Sequence, residues 1–189
     1  MNFELLTELK KYEPFDDVER KYVDETIEFL ENGRNQFLRT NLERHVVAGA
    51  FLLNKKLDKI LLTHHKALDR WLQFGGHSDG ESDSLNVALR EVNEESGINN
   101  VDIGCGKIFD VDIHTIPANS KKNEPEHKHI EIRFVFTTPE EKFVISDESD
   151  ELAWFSLKDF YKMILVSCYS GDKRVIEKLS KYVSENKNK

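Results

Sequence analysis
The chain has 189 residues, of which 39% are hydrophobic and twelve are phenylalanines, and its formal net charge is -8. Enough apolar material is present for a packed core, which excludes wholesale disorder. The acidic balance excludes a general nucleic-acid binder, which needs a basic face, but not a small phosphorylated ligand, because a bound cation reverses the local field.

In chain order, the first forty residues read as a helical arm. Leu5, Leu6 and Leu9 recur at helical spacing; after Pro14, Asp16 and Glu19 form a capping-box pattern ahead of Val18, Tyr22, Thr26, Phe29 and Leu30, and Gly33 ends the helix. Short apolar runs follow at His45 to Leu53 and Lys59 to His64, separated by "NKKLD", a hairpin pattern. An amphipathic helix over 84–96 comes next. Further strands are expected in "VDIGCGKIFDVDIHTI", "HIEIRFVFTT" and "LAWFSL", the first two joined by the polar loop "PANSKKNEPE". Helices are expected over 159–165 and 173–183, the latter with Val175, Leu179, Tyr182 and Val183 on its apolar side. Strands around a central helix imply a mixed α/β (α+β) domain. The expected division is an N-terminal helical arm, 1–40, and a main domain, 41–189. Cys105 and Cys168 show no metal-ligand spacing and give no disulfide framework, which suits a cytoplasmic setting. No apolar run reaches bilayer-spanning length, so no membrane partner is expected.

The central helix poses an electrostatic problem. Leu85, Ala88, Leu89 and Val92 form its apolar stripe, Ser82 or Asp83 can cap its start, and Gly97 suits a left-handed stop. Its remaining face carries Glu91, Glu94 and Glu95 at i, i+3 and i+4, spacings at which like charges repel. A solvated acidic face is one reading. The preceding glycines, Gly75 and Gly76, favour another, because three carboxylates and a backbone carbonyl are a hard-oxygen cradle for Mg²⁺ or Mn²⁺.

This segment resembles the Nudix box, in which a glycine, an isolated glutamate and an Arg-Glu-apolar-x-Glu-Glu-x-Gly-apolar block recur at set spacing. Gly76 stands fourteen residues before Arg90, and "REVNEESGI" satisfies the block from Arg90 to Ile98. Ser82 stands where the isolated glutamate belongs, with Glu81 and Asp83 beside it, and Phe74 replaces the usual proline. The resemblance implies a Nudix-fold α/β/α sandwich and metal-dependent hydrolysis of a diphosphate linkage, typically a nucleoside diphosphate joined to another group. It implies Glu91, Glu94 and Glu95 as metal ligands, with the Gly76 carbonyl as a further donor, and Arg90 as the residue orienting Glu91. The general base stays open between Glu94, Glu95 and the loop carboxylates Glu148 and Glu151. Nudix relatives often form homodimers. Trp71 and Phe74 either stack on a base or belong to the core.

The chain has seven histidines. Strand alternation puts His127, His129, Glu131 and Arg133 on one face, with Ile130, Ile132, Phe134 and Phe136 on the other. Asp110, Asp112 and His114 similarly oppose Phe109, Val111 and Ile113. If these strands pair, their polar faces form one wall, which His77 could reach. An ordinary polar sheet face is one reading. The pattern also resembles the metal site of isopentenyl diphosphate isomerase, a Nudix-fold enzyme. That resemblance implies a second site for a transition metal at His45, His77 and Glu131, with His129 where that family has a glutamate. The isomerase's reactive cysteine is Gly75 here. An isomerase and a non-catalytic nucleotide sensor are the alternatives to the hydrolase.

Overall fold
Asp16 starts the longest N-terminal helix by accepting a hydrogen bond from the Glu19 amide at 2.7 Å. Two helices, α1 (Phe3–Leu9) and α2 (Asp17–Asn32), precede β1 (Arg44–Asn54), β2 (Lys59–His65), β3 (Arg70–Leu72), β4 (Phe74–His77) and α3 (Ser84–Ser96). After α3 come β5 (Asp110–Ile116), β6 (His127–Thr138), β7 (Ser149–Ser156), α4 (Leu157–Ser167) and α5 (Asp172–Asn186). This computed structural model describes residues 3–66, 68–120, 124–147, 149–167 and 172–187. Among them, no helix is long and apolar enough to cross a membrane.

The strands pair in the order β3-β2-β1-β6-β5, with β4 on β1 and β7 on β2. The contacts divide the chain into two compact units, each assembled from separated segments. Met1–Gly49, Gly75–Ala88 and Lys107–Phe134 make the first, while Ala50–Phe74, Leu89–Gly106 and Val135–Lys189 make the second.

In the first unit, α1 packs on α2 and α2 on β5. The expected apolar face of α2 is rotated. Val18 is 49% exposed, whereas Glu19, Val23, Thr26 and Leu30 are buried. Glu19 is fully buried because it bridges chain segments as an acceptor. Its carboxylate accepts from the Tyr12 hydroxyl at 2.6 Å, the Phe15 amide at 2.6 Å and, 92 residues away, the Val111 amide of β5 at 3.1 Å. The capping-box pattern thus marks a residue whose side chain does a longer-range job. Strands β5 and β6 run antiparallel with Asp110 opposite Arg133, Asp112 opposite Glu131 and His114 opposite His129. The expected polar wall is therefore formed, and Ile130, Ile132 and Phe134 are fully buried on the other side.

The second unit is built on β2. It pairs antiparallel with β1 through Leu52 opposite Leu61 and Leu53 opposite Ile60, after a turn in which Leu57 takes a φ of 54°. It also pairs with β3, and with β7 from Lys59 opposite Ser156 to Thr63 opposite Leu152. Helix α4 packs on β2, β7 and α5, and Val175 and Leu179 of α5 are buried. The short strands β3 and β4 were not expected from sequence, since three-residue and glycine-rich runs carry no alternation. Of the run over 101–109, Asp102 makes an isolated bridge to Thr137, and regular strand begins at Asp110. Gly104 and Gly106, at φ of 58° and 63°, turn the chain there.

Replacing Glu19 with alanine strands the Phe15 and Val111 amides. A buried donor without its acceptor costs about 1–3 kcal/mol, so urea titration of Glu19→Ala is expected to show a loss of about 2 kcal/mol or more. Glu19→Gln, which keeps one acceptor oxygen, recovers part of it. A loss within experimental error in the alanine variant would contradict this account.

Candidate active site
Helix α3 begins and ends where its caps dictate. Asp83 accepts from the Asn86 amide at 3.0 Å, and Gly97 closes the helix at a φ of 69°, its amide bonded to the Asn93 carbonyl at 2.9 Å. Ala88 and Val92 of the expected stripe are completely buried, as is Val87, while Leu85 and Leu89 are half-buried. The carboxylates adjoin this stripe. The Glu91 side chain is 13% exposed, that of Glu94 60%, and Glu95 is 8% exposed. Arg90 contacts Glu91 at 2.9 Å and Glu94 at 3.3 Å. Three acidic groups thus share this part of the helix, two of them largely withdrawn from water, where repulsion between like charges is strongest.

The residues flanking Ser82 serve the helix start. Asp83 is the cap, and Glu81 accepts from the Asn86 side chain. Gly76 lies on β4 in the first unit, and Glu91, Glu94 and Glu95 lie on the part of α3 in the second. Gly75 is glycine for a packing reason. A Cβ there would meet the Ala48 carbonyl oxygen at 2.8 Å and the Gly49 Cα at 2.9 Å, both backbone atoms of β1. Glu151 is exposed on β7, and Glu148 lies outside the described residues, as does Cys168. Phe74 is fully buried, and Trp71 packs edge-on against Phe155 and His64, at 4.8 and 5.1 Å between ring centres. Both aromatics therefore act as packing groups here.

A second constellation stands in the first unit. His45, His77 and His129 each bring one ring nitrogen within 4.8 Å of the others. Their ring centres lie 5.2 Å (His45 to His77), 4.7 Å (His45 to His129) and 5.1 Å (His77 to His129) apart. His45 Nδ1 is 3.1 Å from the Asn41 carbonyl, which can only accept, so this nitrogen donates and Nε2 carries the lone pair. By the same logic His127 Nδ1 donates to the Pro125 carbonyl at 2.9 Å. Burial is the main cause that pushes His45 below the ordinary imidazole value. It takes His77 down to about 4 and His129 to about 2, and neighbouring positive groups reinforce it.

Beside the histidines lies a charge network that pairs across β5 and β6. Arg133 reaches Asp110 at 3.2 Å, Asp112 at 3.4 Å and Glu131 at 2.6 Å. Burial by itself would lower the Arg133 pKa, but Glu131, Asp112 and Asp110 outweigh it and hold the guanidinium charged. His114 adds a contact from Nδ1 to Asp112 at 3.1 Å. Glu131 thus gathers with Asp112 and His114, while the three other histidine-site candidates gather with one another. Alternation in the sequence marked this wall, but nothing in it marked Arg133 as the counter-charge or the Asn41 carbonyl as the partner that sets a tautomer.

The NUDIX domain matches residues 43–178. A probable DHNTP pyrophosphohydrolase of Lactococcus lactis subsp. cremoris (strain MG1363) is 29% identical over 158 residues, covering 84% of this chain and 90% of the relative. Among solved structures, a C. elegans Ap4A hydrolase binary complex aligns with a TM-score of 0.55 at 20% identity, over 74% of this chain and 98% of the other. The E. coli dihydroneopterin triphosphate pyrophosphohydrolase aligns with a TM-score of 0.51 at 15% identity, over 70% and 92%. The chain belongs to the NUDIX family and has the mixed α+β fold of these neighbours. Within that family it is an enzyme of the pyrophosphohydrolase type.

The lowered histidine values have a consequence for stability. Above pH 6.5 these rings are neutral in both the folded and the unfolded chain. As pH falls from 6.5 towards 4, the unfolded chain takes up protons that folded His77 and His129 refuse, so stability falls. Chelator-treated protein followed by urea titration is expected to lose stability across this window, and His129→Gln to flatten the slope. Identical slopes in both proteins would contradict the assignment.

Proposed function
We propose that this enzyme hydrolyses a diphosphate linkage, as in a nucleoside diphosphate joined to another group, with Mg²⁺ or Mn²⁺ held by Glu91, Glu94 and Glu95. The acidic face of α3 carries the reading. Three carboxylates lie at i, i+3 and i+4, two of them largely buried, and Arg90 contacts Glu91 and Glu94. Hard oxygen donors of this kind suit Mg²⁺ and Mn²⁺, and NUDIX hydrolases generally use such divalent metals. When bound, the ion neutralises the diphosphate and makes a coordinated water more acidic.

The protein's own groups do the rest in this reading. Arg90 holds Glu91 in place through the 2.9 Å contact and restrains Glu94 through the 3.3 Å one. Glu94, the most exposed of the three, and Glu95 are the box residues available to take a proton from the attacking water. Burial of Glu95 raises the energetic return on any cation placed beside it. The isomerase alternative would require a cysteine where Gly75 stands, and the β1 backbone already fills the position of its Cβ.

The name of the L. lactis relative and the E. coli neighbour support placing a pterin triphosphate beside nucleotide conjugates among the substrates to be tried. Turnover over such a panel is expected to need Mg²⁺ or Mn²⁺, to vanish with EDTA and to return on adding the ion. Metal stabilisation of the transition state is worth several kcal/mol, so Glu94→Gln should lower kcat by about 100-fold or more. Full activity in Glu94→Gln, or turnover undiminished by chelation, would overturn the proposal; binding without turnover across the panel would favour the sensor reading.

A further inference from the structure
We infer that His45, His77 and His129 form a binding site for a divalent transition ion of the zinc class, held by three imidazole nitrogens. This inference does not depend on the proposed chemistry of the α3 carboxylates, whose hard oxygen donors suit a different class of ion.

Convergence is the first ground. One ring nitrogen from each of three residues, on β1, β4 and β6, falls within 4.8 Å of the others. Zinc–nitrogen bonds of about 2.1 Å limit two ligands on opposite sides of an ion to about 4.2 Å, so closing the set is a matter of side-chain adjustment. The second ground is an orphaned atom. His45 is 2% exposed, and its Nε2 has no hydrogen-bond partner. Donation from Nδ1 to the Asn41 carbonyl leaves that Nε2 as a bare lone pair. A cluster of neutral packed histidines would give this atom a donor, because a buried acceptor without one is costly. A metal ion supplies what the cluster lacks.

The surroundings match the way metal-binding histidines are oriented. A ligating imidazole commonly donates its second nitrogen to a backbone carbonyl, which sets its tautomer and raises its basicity. His45 does this with Asn41. His127 stacks on His45 at 5.1 Å between ring centres, and its Nε2, the acceptor once Nδ1 donates to Pro125, lies 3.2 Å from His129 Nε2. The donor set also differs from the one implied by resemblance to the isomerase. Glu131 is engaged by Arg133 at 2.6 Å and faces Asp112 and His114, which leaves an all-nitrogen set. Imidazoles without carboxylates favour zinc and its neighbours over Mg²⁺. Three protein ligands leave a coordination position for water or an anionic oxygen.

The test uses the full-length protein carrying Glu91→Gln and Glu94→Gln, so that the α3 face contributes little metal binding, after dialysis against a chelator. Calorimetric titration with ZnCl₂ is expected to show uptake of about one ion per chain. Adding His77→Gln or His129→Gln should abolish that uptake, with circular dichroism confirming that each variant is folded. Zinc uptake unchanged in both folded histidine variants, or no uptake by the folded parent, would overturn the inference. If the histidine variants fail to fold, X-ray absorption on zinc-loaded wild type reads the donors directly. Imidazole scattering supports the site, and an oxygen-only shell overturns it.

Discussion
The register of β5 on β6 is the constraint on which the first unit depends. Asp110 opposite Arg133, Asp112 opposite Glu131 and His114 opposite His129 place these six polar residues on one face. Because side chains alternate with a period of two, a slip of one residue would turn Ile130, Ile132 and Phe134 out of the core and bury the charges in their place. The apolar face therefore enforces the register. The polar wall, with its histidines and carboxylates, is built as a consequence.

Burying charge demands compensation, and the wall supplies it internally. Arg133 stands among Asp110, Asp112 and Glu131, and the three carboxylates keep it charged against the cost of desolvation. Removing one member of such a network is far more damaging than never having built it. The acidic face of α3 is a different case. There, Arg90 contacts Glu91 and Glu94, and in the proposed function an ion from solution completes the balance among the three carboxylates. One arrangement balances its charge internally; in the proposed function, the other keeps affinity in reserve for an ion.

Glu19 ties the N-terminal helices to this scheme. Its buried carboxylate joins Tyr12 and Phe15 to the Val111 amide, so the segment before β1 is linked by hydrogen bonds to the strand that carries Asp110 and Asp112. An acidic residue was read from sequence as part of a cap because local spacing is all that sequence displays. Its long-range acceptor role depends on where β5 runs.

Much of this protein is legible along the chain. Periodicity alone placed α3 over 84–96, its cap and its glycine stop, the β1–β2 hairpin and the two-faced strands β5 and β6, because these features are local and repeat at 3.6 or two residues. The spacing from Gly76 to Ile98 likewise pointed to the NUDIX family. Tertiary structure decided the rest. It made Gly75 a packing glycine against β1, placed Phe74 in the core, and paired Glu131 with Arg133. It also left His45 Nε2 without a partner. Those outcomes turn on distances between residues tens of positions apart, which hydrophobic burial and strand register determine and which no local pattern encodes.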